Sequence, residues 1–184
     1  MGTYSLGDLH TVAARKRPEL IAPAAFAALE QYDLLDRVGV VLIDPAFSDT
    51  GAIAGAYSLP PEVLANCVIV SGRRAGVERV AACVALATHR IDVNTTVKKL
   101  LDVRSASFLP RDRAVELTEM EFGAITPIGA PGGWSLLVDE QVAATPLVVI
   151  GSGRRESKLV LKGSDLAALP TATVTSIGSP ATRA

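Results

Sequence analysis

The stretch Glu121–Pro131 (EFGAITPIGAP) constrains this chain more than any other. Two glycines and two prolines punctuate a short apolar run between a predicted helix and a predicted strand. Pro127 fixes its own φ and removes a backbone donor. Gly123 and Gly129 admit backbone angles closed to other residues and put no side chain in the way of a ligand. The loop can therefore present main-chain N–H and C=O groups to a small molecule. A second glycine turn, Gly151–Ser152–Gly153, follows an apolar strand and precedes the basic Arg154, Arg155 and Lys158. The two turns are expected to face one another across a single pocket.

A length of 184 residues implies one domain. The expected organisation is a flexible arm over residues 1–17, a domain over 18–170 and a C-terminal tail over 171–184. The apolar fraction of 49% supports a sizeable core, while 4% aromatic residues argue against a surface built on exposed rings that stack bases. A formal charge of −1 gives no global field to draw nucleic acid, so any RNA contact must use local basic patches. No apolar run reaches the length of a membrane span, and the N-terminus lacks a signal-peptide pattern. Cys67 and Cys83 sit in apolar runs without metal spacing, as buried, reduced thiols of a cytoplasmic protein would.

Along the chain, Phe26, Leu29 and Tyr32 recur on one face of a helix starting near Ala24. Val38–Ile43 reads as a strand, and Ser48–Asp49–Thr50 as the cap of a short helix from Gly51 to Tyr57. Cys67–Val70 and Arg79–Leu86 read as hairpin strands joined through Ser71–Gly76, with Val80, Ala82, Val84 and Leu86 on one face. Asp92 and Asn94 can cap a helix over Val93–Val103 whose stripe is Val93, Val97, Leu100 and Leu101. A brief strand, Ser105–Leu109, precedes Pro110 and the helix Arg111–Thr118. Ser135–Val138, Leu147–Ile150 and Ser157–Leu161 read as strands, and Ser164–Asp165 caps a last helix, Leu166–Leu169. The class is α/β, with a mixed sheet that is either open or curled.

The familiar catalytic sets are missing. His10 lies in the arm and His89 in a turn, and no G-x-S-x-G elbow, P-loop or G-x-G-x-x-G occurs. Asp139–Glu140 ends a strand, where a turn role is the simpler reading. A glycine-rich backbone pocket can still assist one reaction. An activated ester needs donors where its carbonyl oxygen gains charge and a water held in line. Plain loop geometry is the alternative for both turns.

The ordered set NCVIVSGRRAG, IDVNTTVKKLLDV, SFLP, LTEMEFGAITPIGAP, WSLLVDE and VVIGSGRRESKLVLKGSDL, over roughly residues 36–170, resembles the YbaK family, the prolyl-tRNA-synthetase-associated domains. Its most specific part is Gly123–Ala124–Ile125–Thr126–Pro127, where the family commonly has G-G-I/V-S-P. The resemblance implies a single α/β (α+β) domain with a mixed, barrel-like sheet flanked by helices. It also implies a trans-acting aminoacyl-tRNA deacylase that edits mischarged tRNA for translation fidelity, with no cofactor or metal. Partners implied by the resemblance are the tRNA acceptor end and, where a synthetase is assisted, an aminoacyl-tRNA synthetase, and no membrane. A synthetase pocket for a small apolar amino acid rejects a smaller one only weakly, which is why a second site edits.

Carried onto this chain, the resemblance implies catalytic roles for Gly123, Ala124, Thr126, Asn66 and Lys158. Substrate would be bound by Met120, Ile125, Pro127, Gly129, Gly151, Ser152, Gly153, Arg154 and Arg155, with Arg73 and Arg74 joining if the hairpin reaches over. Three positions depart from the family pattern. Asn66 stands where a functionally important lysine is usual, Met120 where an aromatic is common, and Lys158 where some members carry an acid. Either Lys158 supplies the cation that Asn66 does not, or it is an exposed strand lysine. The alternative function is a non-catalytic paralogue that binds tRNA or an aminoacyl or nucleotide-like ligand. A structural domain with a vestigial pocket is the third reading.

Overall fold

The computed structural model describes residues 2–181. Two sheets carry the fold. The larger runs in spatial order Ala172–Thr175, Ser135–Asp139, Val77–Leu86, Ala65–Arg74, Ala106–Phe108. Ser135–Asp139 is parallel to both of its neighbours and the other pairs are antiparallel, so the sheet is mixed. The smaller sheet runs Val148–Gly151, Ser157–Leu161, Gly39–Leu42, Val12–Ala13, all antiparallel. A single bridge, Leu64 to Val149, links them. The expected barrel-like sheet is therefore corrected to two open sheets that part beyond one shared rung.

Alternation along Val77–Leu86 explains how both faces of the larger sheet are buried. Ala82, Val84 and Leu86 join the main core with Val40, Leu159 and Leu161 of the smaller sheet and with Ala25 and Leu29 of the helix Pro23–Gln31. Ala81 and Cys83 point the other way, onto Val93, Val97 and Leu101. The outer face of the smaller sheet is covered by Ile53 of the helix Thr50–Ala56 and by Leu9.

Several local expectations are corrected. The hairpin turn shrinks to Ala75–Gly76, because SGRR continues the ladder to Arg74. The helix after Asp92 opens as a wide turn, Val93–Val97, passes through Lys98–Leu100 and ends at Asp102 with φ +51. Asp92 caps it by accepting from the Thr95 and Thr96 amides at 3.1 Å each, but Leu100 is exposed. The last helix is Gly163–Ala167, one turn earlier than expected.

Residues 2–17 are not an isolated arm. Ser5–Leu6 pairs with Leu9–His10, and Val12–Ala13 adds to the smaller sheet. The expected tail also contributes Ala172–Thr175 and Gly178–Pro180, the latter paired with His89–Ile91, while 182–184 lie outside the described residues. Asp139 accepts from the Gln141 amide, the turn role expected of it, and also secures this segment by accepting from the Ile177 and Gly178 amides. Among the described residues no helix is long and apolar enough to cross a membrane.

Candidate functional site

The two glycine turns adjoin rather than oppose. The Glu121 amide donates to the Gly153 carbonyl at 3.0 Å, and the Gly153 amide donates to the Ala124 carbonyl at 2.8 Å. Gly151 lets them close, since a Cβ there would lie 2.2 Å from the Ala124 oxygen. Arg155 completes the stitching. Its amide donates to Glu121 Oε2 at 2.6 Å, and its guanidinium donates to the Phe122 and Pro45 carbonyls at 3.2 Å each. The result is one wall made of main chain.

That wall bounds a cavity of about 460 Å³ at the place where the two sheets part. Of the residues expected to act on substrate, Gly123, Ile125, Gly151, Asn66 and Lys158 line it. Apolar side chains such as Ile53, Leu64, Ile69 and Val149 supply much of the remaining wall. Among the described residues, no protein group accepts from the main-chain N–H of Gly123 or Ile125. Two amide donors on the loop are therefore without a protein partner.

Lys158 faces Val41 and Gly151 across the ladders and is only 7% exposed. Its Nζ donates to the Ser48 carbonyl at 2.7 Å, leaving further ammonium protons for a ligand. Burial pulls its pKa down to about 8, opposed by the Asp49 carboxylate and assisted by the Arg155 charge. The side chain is thus mostly an ammonium at neutral pH and neutral well above pH 8. Asn66 accepts a hydrogen bond from Thr50 Oγ1 through its Oδ1, which leaves its amide protons as donors. Cys67 also lines the cavity, but desolvation, with Cys83 nearby, pushes its thiol well above the ordinary range. It carries no thiolate at neutral pH.

The remaining expected residues lie away from the cavity and brace the turns. Ala124 and Thr126 are buried beneath the loop, and the Thr126 amide points at the Met120 sulfur at 3.4 Å. Met120 itself is a core residue. Gly153 packs against Ala22. Ser152 is buried, with its Oγ 2.7 Å from Ser157 Oγ, and Arg154 donates through Nε to the Ile21 carbonyl at 3.3 Å. Gly129, at φ +79, lets the loop meet the start of the helix Pro23–Gln31, where a Cβ would lie 2.4 Å from the Ala24 oxygen. Pro127 and Gly129 line a separate recess of about 110 Å³. Arg74 pairs with Asp102 at the far end of the hairpin, and neither it nor Arg73 lines the cavity.

Sequence reasoning missed Asp49, Phe108, Arg111 and Phe122 on the cavity wall. Asp49 was legible as a helix cap, yet its side chain caps nothing. The two phenylalanines carried no periodic signal. Among the described residues no set of three His, Cys, Asp or Glu side chains converges as metal ligands.

The family model for the aminoacyl-tRNA editing domain matches residues 44–169. No curated protein matches the sequence significantly. Among solved structures, a candidate trans-editing enzyme for prolyl tRNA synthetase is similar at a TM-score of 0.73 and 18% identity, covering 86% of this chain and 99% of its own. A crystallised hypothetical protein is similar at 0.74 and 19%, covering 85% and 99%. A candidate signal transduction protein from Marinobacter aquaeolei VT8 reaches 0.60 at 15%, with 86% of this chain covering 31% of that one. At these identities the likeness establishes the fold.

Proposed function

The chain belongs to the aminoacyl-tRNA editing domain family, and on that premise we propose that it is a trans-acting deacylase that hydrolyses the ester of a mischarged tRNA. The observation that carries the reading is one cavity lined both by a buried ammonium and by Gly123 and Ile125, whose main-chain amides have no protein partner among the described residues. The aminoacyl group would enter the apolar end, and the ester carbonyl would lie against the Gly123 and Ile125 amides. Water attacks the carbonyl carbon, charge builds on its oxygen, and the bond to the ribose oxygen breaks to leave a free amino acid and a tRNA hydroxyl. A donor aimed at that oxygen is typically worth about 10²–10³ in rate.

Lys158 supplies the cation that Asn66 does not, strengthening the field at the developing oxyanion. Asn66, its Oδ1 already engaged by Thr50, offers its amide protons to the ribose or the carbonyl. Asp49, the one carboxylate on the cavity wall among the described residues, would pair with the substrate's α-ammonium. Gly153 and Arg155 hold the two turns together, Met120 packs beside Gly153, and Ser152 and Arg154 fasten the second turn to Ile21 and Ala22.

Deacylation of a panel of mischarged tRNAs tests the reading. Hydrolysis above the buffer rate for at least one, reduced on Lys158→Met, is expected; no hydrolysis for any would remove it. The uncharged Asn66 favours a second reading, a module that binds an aminoacyl end without cleaving it. Tight binding of a mischarged tRNA that leaves its ester intact would select that one.

A further inference from the structure

The chain has four phenylalanines. Phe26 packs on the core, whereas Phe47, Phe108 and Phe122 stand 40%, 59% and 46% exposed. Phe108 and Phe122 both belong to the wall of the same cavity, so their exposure places them at its mouth. Arg111, a third residue of that wall, lies with its guanidinium 4.4 Å from the centre of the Phe122 ring. It forms no ion pair among the described residues.

Neither ring is left out by accident of a loose segment. Phe108 ends the edge strand Ala106–Phe108, opposite Val70. Phe122 sits on the loop whose main chain Arg155 clamps through the Phe122 and Pro45 carbonyls, with Glu121 Oε2 accepting from the Arg155 amide. Two apolar rings on anchored main chain and a cation thus stand beside an opening that leads to a buried ammonium.

Chemistry says what belongs there if the cavity holds an aminoacyl ester, the reading on which this inference rests. The ester oxygen is part of a ribose, and the ribose carries its base only a few bonds away. With the acyl group inside, the base must fall at the rim, and the next phosphate must follow it. Unpaired bases stack on aromatic faces, and arginine meets phosphate through a planar fork of donors.

We infer that Phe108 and Phe122 form a stacking platform for the terminal base of the acceptor strand, and that Arg111 holds the phosphate behind it. The platform depends on position and needs few aromatics, which is why a composition of 4% aromatic residues did not reveal it.

The test uses a labelled, uncharged acceptor-stem hairpin with a single-stranded 3′ end, titrated at low salt and followed by fluorescence anisotropy. Phe108→Leu and Phe122→Leu should each weaken binding about 5- to 150-fold, the equivalent of 1–3 kcal/mol per stacked base. Arg111→Gln should flatten the dependence of log affinity on log salt by about 0.7. Val174→Ser, at an exposed apolar position outside the cavity wall, should leave binding unchanged.

In parallel, kcat/KM is measured on the aminoacylated hairpin and on an aminoacyl ester of a simple diol that carries no base. The two Phe variants should lose at least about five-fold more on the hairpin than on the base-free ester, by loss of the stacking contact. Failure of the wild-type protein to bind the hairpin, binding unaffected by either Phe variant, or equal losses on both esters would overturn the platform. Hairpin binding that falls in both variants while neither ester is cleaved would keep the platform and remove the deacylase reading.

Discussion

Lys158→Met probes the buried charge directly, with a sign and size that follow from its surroundings. Burial lowers the lysine's pKa from its ordinary 10.5 to about 8, so the unfolded chain holds that proton more tightly than the folded one. Below pH 8 both states are protonated and the fold bears the full penalty, about 3 kcal/mol. Stability then rises as the pH climbs from about 8 towards 10.5, because only the unfolded state still binds the proton. By pH 10 the penalty falls below about 1 kcal/mol. The wild-type protein should therefore gain about 2–3 kcal/mol between pH 7 and pH 10 relative to Lys158→Met. Groups that titrate alike in the two proteins cancel between the two curves.

At pH 7 itself the variant's net change is small. It sheds the desolvation penalty but leaves the Ser48 carbonyl without its donor, which costs about 1–3 kcal/mol. The slope is diagnostic and the intercept is not. Urea unfolding followed by circular dichroism at pH 7, 8, 9 and 10 measures it. Parallel stability curves for the two proteins would refute a buried, destabilised ammonium and with it the electrostatic part of the proposed mechanism.

After subtraction of hydroxide-driven hydrolysis, deacylation should decline above pH about 8 as Lys158 loses its proton, and the residual activity of Lys158→Met should not follow that decline. Gly151→Ala should lower stability by about 1–3 kcal/mol and activity by at least about tenfold, because its Cβ forces the Ala124 carbonyl away. Gly129→Ala should lower stability comparably but leave kcat within about twofold, since its strain falls on Ala24 outside the cavity; urea midpoints and single-turnover deacylation separate the two. Asp139→Ala should raise amide exchange at Ile177 and Gly178 and cost about 1–3 kcal/mol, having removed the acceptor of both.

Much of the fold was legible where a local rule speaks clearly. Pro110 before Arg111–Thr118 placed that helix to the residue, and the apolar run placed the strand Ser157–Leu161. The period-two alternation of Arg79–Leu86 predicted one core face correctly and Cys83 was expected to be buried, but nothing marked Ala81 as buried beside it on the opposite face. Strands of two residues, such as Val12–Ala13, carry no period at all, so the ordered N-terminal segment was invisible. The site shows the same divide. Gly123, Gly129 and Gly151 look alike as letters, yet one faces the cavity, one admits a helix and one admits a carbonyl oxygen. Which neighbour a glycine makes room for is a tertiary fact. So is the burial of Lys158, whose place in an alternating strand is compatible with either face.

The main-chain construction of one cavity wall separates two kinds of change. Groups that would act on the reacting atoms are largely amides anchored by turn-to-turn bonding, and a backbone amide survives the replacement of its own side chain. On the proposed reading selectivity would reside in the apolar side chains of the same cavity, Ile53, Ile69 and their neighbours, where volume and shape can be altered one residue at a time. A library confined to those positions could redirect which acyl group is admitted while the machinery that opens the ester stays in register.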